Sequence, residues 1–172
     1  SELTTAVFAM ESVVPTRRDR TVAGYTIGTT TLLYIAYGEV RAGVDLSDLQ
    51  PDDIQIQGDR VTITLPAPEI LDSKIDVTRS TVYDYDRGFL GLGPDAAPEL
   101  QQLAQTETLD NIVETACQEN LLQEASTRAQ LTVTQLLTTA GYEEVTVRSQ
   151  PIQGCPGGTP ALPVPQDGAL AE

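Results

Sequence analysis

At 172 residues, with 40% apolar and 20% charged side chains, the chain is long enough for one domain with a self-sufficient core. Its net charge of −15 comes from 25 acidic residues against ten basic ones, a balance that repels phosphate backbones and argues against nucleic acid as a partner. With no histidine, the chain cannot by itself build Ser-His-Asp or Cys-His nucleophilic sites or the common imidazole-ligated metal sites, and the absence of tryptophan leaves little for a base-stacking surface.

Leu3 to Val14 is rich in Thr, Val and Phe and reads as a strand that Pro15 ends. Arg17, Arg18 and Arg20 then read as the solvated tip of a connection. From Tyr25 to Leu46 runs a long β-prone stretch. Its apolar middle predicts burial on both faces, and Gly28, Gly38 and Gly43 are candidate bulges or bends. Ile54 and Ile56 alternate with polar neighbours, as do Val61, Ile63 and Leu65, and Gly58-Asp59 lies between them. That pattern predicts a hairpin, closed off by Pro66 and Pro68. Ile75 and Val77, then Val82, Tyr83 and Tyr85, supply one or two further strands.

Beyond Gly93 the period changes. Asp95 is a candidate N-cap with Pro98 in the first turn. An apolar stripe follows through Leu100, Leu103, Ala104, Leu109, Ile112, Val113, Ala116 and Cys117. It resumes at Leu121, Leu122, Ala125, Ala129, Val133, Leu136, Leu137 and Ala140. Asn120 marks a kink or a break, so the segment is one kinked helix or two, and Gly141 is the expected C-cap. Val145 and Val147 give a final short strand. The order predicts an α+β fold: mostly antiparallel N-terminal strands, a long helical segment, then one strand. Residues 1–150 form the expected single domain. Residues 151–172, dominated by Gly, Pro and Ala, read as a flexible tail.

Candidate chemistry is sparse. Gly88-Phe89-Leu90-Gly91-Leu92-Gly93 lacks both the Lys-Ser/Thr of a phosphate loop and the dinucleotide glycine spacing, so it reads as a plain loop ahead of a helix. Asp84-Tyr85-Asp86 opens like a calcium loop, but its glycine falls a place early and the twelfth position is Asp95, not glutamate. Asp45, Asp48, Asp52 and Asp53 carry no loop signature. No catalytic residue, cofactor site or metal site is assigned. Carboxylate pairs for hydrolysis are set by three-dimensional separation and leave no mark here.

Cys117 and Cys155 either form a disulfide that staples the tail to the domain or remain separate thiols. From Asp95 to Glu144 nine acidic side chains stand against Arg128 alone. This is either a solvated helical face or a docking surface for a basic protein partner. No stretch approaches the roughly 20 apolar residues of a membrane span. A start at Ser1 is expected for a processed or trimmed chain.

Several segments resemble the domain-of-unknown-function 4230 family. They are Tyr34 to Leu46, with its Gly43-Val44-Asp45-Leu46 core; Val61 to Ile70, with Leu65-Pro66-Ala67-Pro68-Glu69-Ile70; Ser80 to Asp84; and Ala116 to Ala125. The resemblance spans about residues 3 to 150. It implies a cyanobacterial or plastid-type member and a short N-terminal membrane anchor that this chain lacks, but it carries no catalytic residues. A membrane-associated, extracytoplasmic setting is the expectation, periplasm or thylakoid lumen, acting through protein contacts. A small-ligand or cation-binding module near Tyr83 to Gly93 is the alternative, and a carboxylate hydrolase is the third reading.

Overall fold

In the computed structural model, which describes residues 1–155, β1 (Glu2–Val22) and β2 (Tyr25–Asp45) form one antiparallel hairpin of two 21-residue strands. At ~3.3 Å per residue its contour is roughly 65 Å. The turn residues Ala23 and Gly24 both take positive φ, 51° and 84°, the handedness that two-residue hairpins favour.

Pro15 does not end β1. It sits inside the strand opposite Leu33, and pairing continues through Arg17, Arg18 and Arg20, which are strand residues near the hairpin tip and not part of a connection. The reason is which way the backbone faces. Tyr37 N–H donates to Ser80 Oγ at 3.0 Å, and the Tyr37 carbonyl accepts from Asp76 N–H at 2.8 Å. The Tyr37 backbone therefore turns away from β1. In an antiparallel pair its partner Glu11 must also turn outward, and by alternation so do Val7, Ala9, Val13 and Pro15. The donor that Pro15 lacks is one the hairpin never uses.

Two short strands lie end to end along the other edge of β2. β5 (Glu69–Ile75) pairs with Gly38–Gly43 and β6 (Thr81–Asp86) with Thr31–Ile35, both antiparallel. Between β2 and β5 in sequence, β3 (Ile54–Gln57) and β4 (Arg60–Leu65) form the expected hairpin, with Gly58 at φ 63°. β7 (Glu144–Ser149) joins β4 in parallel register from Arg60↔Glu144 to Leu65↔Ser149, so β4 is the centre of a second, three-stranded sheet.

The helical segment is two helices, α1 (Ala97–Gln118) and α2 (Leu121–Thr139), broken where Asn120 adopts a left-handed conformation at φ 61°. Both pack on one face of the hairpin sheet. Leu32, Tyr34, Ala36, Val40, Ala42 and Val44 point into that contact and are buried. The alternate residues Leu33, Ile35 and Tyr37 are only half-buried, so β2 is covered on one face, not two. An antiparallel sheet tolerates that arrangement, whereas a parallel one rarely does.

Gly38 is not a bulge. A Cβ there would stand 2.5 Å from Ile112 Cδ1, so the glycine makes room for α1. Gly43 and Gly28 do flank register shifts, opposite Thr4–Ala6 and Arg20–Thr21 respectively.

Ala96, not Asp95, precedes the first turn of α1. Asp95 instead accepts the Tyr85 hydroxyl at 2.8 Å, and the Tyr85 hydroxyl oxygen in turn accepts from Ala96 N–H at 3.1 Å, tying β6 to the helix start. The buried line of α1 is Leu100, Ala104, Thr108, Ile112 and Ala116, while Leu103 is exposed. Thr108 is buried because its hydroxyl returns to the Ala104 carbonyl at 2.7 Å. In α2 the stripe narrows to Leu121, Leu122, Ala125, Ala129 and Val133, and Leu136 and Ala140 face outward. Gly141 follows the helix at φ 106°.

Candidate functional site

The acidic loops each have a local structural use, so their carboxylates do not converge. Asp45 accepts from Ser47 N–H at 2.9 Å and from the Ser47 hydroxyl, capping the turn that leaves β2. Those bonds hold its carboxyl down to about 2, with a smaller contribution from the amino group of Ser1. Asp53 caps a neighbouring turn by accepting Gln50 N–H at 2.8 Å, and Asp48 and Asp52 point to solvent. Asp86 accepts Gly88 N–H at 2.8 Å, while Asp84 lies opposite Leu33 on the uncovered sheet face. Among the described residues no group of three or more His, Cys, Asp or Glu could hold a metal ion.

The glycine loop closes on itself. Gly91 N–H bonds to the Gly88 carbonyl, Leu92 N–H to Phe89 and Gly93 N–H to Arg87, at 3.1, 3.1 and 2.8 Å. Amides committed in this way cannot cradle an anion. The loop presents Phe89 and Leu90 outward, 81% and 79% exposed.

Besides Asp45, the carboxyls with a clear shift are Glu39 and Asp76, and both move downward. Glu39 is held ionised by its hydrogen bond from Arg41 at 2.9 Å, and Asp76 by the Thr78 hydroxyl at 2.6 Å. A general acid working near neutral pH needs the opposite shift. Tyr37 is raised by its neighbour Glu11, partly offset by Arg79, whose guanidinium lies 5.6 Å from the ring centroid.

Two features remain. The first is the outer face of α1. At 100° per residue Glu99, Glu107, Asp110 and Glu114 fall within an arc of about 80°, away from the buried line. All four are exposed, and α1 contains no basic residue. The carboxylates therefore have no cationic partner on their own helix, although Glu114 accepts from the Gln118 amide at 3.4 Å.

The second is a groove of about 540 Å³ where Pro66, Pro68, Glu69 and Ile70 meet Asp48, Gln150, Gln153 and Cys155. Gln150 N–H bonds to the Leu65 carbonyl at 2.9 Å, extending the β4–β7 pairing into the groove wall. Cys155 is bonded to Cys117 at the end of α1, with the two Cα atoms 6.1 Å apart, and it packs with Ile152 against the core formed by Ala6, Val40, Ile112 and Leu122. The proposed tail thus begins as a docked segment. The rest of it, from 156 to 172, lies outside the described residues. Sequence reading missed this groove because its walls lie about eighty residues apart. The only hint was the proline pair, read there as a strand end.

Two sheets, one carrying a helical pair on a single face, define an α+β domain with an acidic helix surface. The chain belongs to the family described as protein of unknown function (DUF4230), whose model matches residues 1–147. No curated protein and no solved structure matches it.

Proposed function

We propose that this is a non-catalytic domain of a membrane-anchored protein that works through protein contacts, in assembly or scaffolding, on an extracytoplasmic face. A cyanobacterial or plastid setting, periplasm or thylakoid lumen, belongs to the same reading. The observation that supports it is the carboxylate stripe on α1. Four like charges on one helix face, with no basic residue on that helix, are destabilising by a few tenths of a kcal/mol per neighbouring pair. A basic partner surface would relieve that repulsion and gain speed of association from the same field. Compartment enters through the disulfide, which persists where the medium is oxidising. No described helix is long and apolar enough to cross a membrane, so the anchor in this reading lies outside these residues.

The test is to neutralise the stripe together, Glu99→Gln, Glu107→Gln, Asp110→Asn and Glu114→Gln, and compare cross-linked partners with those of a control variant that loses four acids outside α1. Loss of a salt-sensitive partner only in the stripe variant is expected. Equal recovery in both variants would overturn the reading.

A second reading, a binding module for a small ligand, is favoured by the groove. Its volume falls within the range of ligand sites, and it is walled by the Leu65–Ile70 segment that carries much of the family resemblance. Thermal shift against metabolite and divalent-cation panels addresses it. Pro68→Ala should abolish any stabilisation found, and a panel with no stabilisation at millimolar ligand removes the reading.

A further inference from the structure

The hairpin leaves one long edge open. β1 pairs only with β2, and no other backbone hydrogen bond reaches it from Glu2 to Val22 among the described residues. The outward backbone groups belong to Val7, Ala9, Glu11, Val13 and Pro15, by the alternation set at Tyr37. Edges of this length are normally blunted by charges, proline or bulges. Here those devices sit at the ends. A register shift occupies Thr4–Ala6, and Pro15 with Arg17, Arg18, Asp19 and Arg20 guards the tip half. Between them Ala6 to Val14 is unguarded and carries one charge, Glu11.

We propose that this edge pairs with the same edge of a second copy of the chain, as an antiparallel two-fold ladder centred on Met10. The choice of occupant rests on self-complementarity. With the axis at Met10, Val7 stands opposite Val13 and Ala9 opposite Glu11, and each of these residues turns its N–H and C=O outward. All four outward-facing residues of the unguarded segment are then matched on both chains, and Pro15 falls beyond the ladder. Moving the axis one position toward the tip, to Glu11, puts Glu11 against Glu11 and Pro15 against Val7, losing donors and adding like-charge repulsion. Moving it one position the other way, to Ala9, runs Val13 into the irregular backbone at Thr5. The favoured register also covers Val7 and Val13, now 55% and 60% exposed, with each other on the outer sheet face. The pairing is isologous, so it closes as a dimer and does not propagate. Each copy carries −15, so added salt should tighten the dimer, the reverse of what it does to an acid-to-base contact.

Sedimentation equilibrium from about 1 to 500 µM, at low and high salt, measures the association. Residue-resolved hydrogen exchange at the two ends of that range locates it. The expected result is a concentration-dependent dimer, tighter at high salt, in which the amides of Val7, Ala9, Glu11 and Val13 exchange at least about tenfold more slowly. Ala9→Pro should abolish it while keeping the β1–β2 ladder, because that N–H points outward as the missing one at Pro15 does. If Ala9→Pro does not fold, the paired change Val7→Lys with Val13→Lys, which sets cations opposite each other, must abolish the dimer instead. A monomer across the whole range, a dimer that survives a folded edge variant, or a dimer without protection of those four amides overturns the proposal.

Discussion

Replacing Cys117 or Cys155 by serine should cost this domain most of one disulfide's worth of stability, and the structure sets the scale. The bond closes a loop with a sequence separation of 38 that contains the whole of α2 and β7. In the chain-entropy relation a loop of that length is worth about 4 kcal/mol at room temperature. For a domain of this size each kcal/mol moves the melting temperature by roughly 2–4 °C, so the expected fall is about 8–16 °C. Calorimetry on Cys117→Ser, Cys155→Ser and the double variant is the assay, with the oxidised parent melted in the presence and absence of reductant. The two singles and the double should melt within a few degrees of one another, because each removes the same bond. Thiol titration of the oxidised parent should find no free thiol. A double variant within about 3 °C of the oxidised parent would refute the reasoning, since the bond would then restrain nothing that the packing of Ile152 did not already hold.

Gly38→Ala should destabilise by about 1–3 kcal/mol, because its new methyl meets Ile112 Cδ1 on α1. Ile112→Val should recover part of that loss in the double variant, and urea denaturation of all four proteins reads the coupling. Asp45→Asn tests the capped turn by pH. The folded carboxyl lies at about 2, below its unfolded value, so its stabilising contribution is complete above about pH 4 and is lost as pH falls through about 2. The urea midpoints of parent and Asn variant should differ near neutrality and converge across that window. A gap that persists unchanged at pH 2 removes the assignment.

Local punctuation was legible. Gly58-Asp59 between two alternating runs, Asn120 between two apolar stripes and Gly141 after the second each act through their own backbone conformation, and each stands where the pattern placed it. What failed depended on partners far away in the chain. Pro15 reads as a stop unless one knows that its nitrogen faces an unpaired edge. Asp95 reads as a cap unless the Tyr85 hydroxyl is known to claim it. Thr108 looks polar along the stripe, but its self-satisfied hydroxyl lets it be buried. The apolar centre of β2 suggested two covered faces because composition cannot say how many layers surround a sheet. The acidic surface of α1 was legible as a charge balance. Its confinement to one arc follows from helical spacing alone, whereas the groove at Pro66–Ile70 needed three dimensions.

The parallel pairing of β7 with β4 also bears on how the chain comes off the ribosome. Arg60 and Glu144 stand 84 positions apart, yet they are neighbours in one ladder and joined by an ion pair. The long hairpin can form as soon as its own residues emerge. The smaller sheet, however, stays a lone two-stranded ribbon, marginal in water, until the chain has been made through β7. At typical synthesis rates that interval is on the order of ten seconds. Through it, one edge of β4 has no strand beside it, and until α1 and α2 have been made the apolar side of the hairpin has no helices over it. A domain built this way matures in one late step, and a chaperone or a neighbouring nascent chain would have its longest opportunity to act on it before that step.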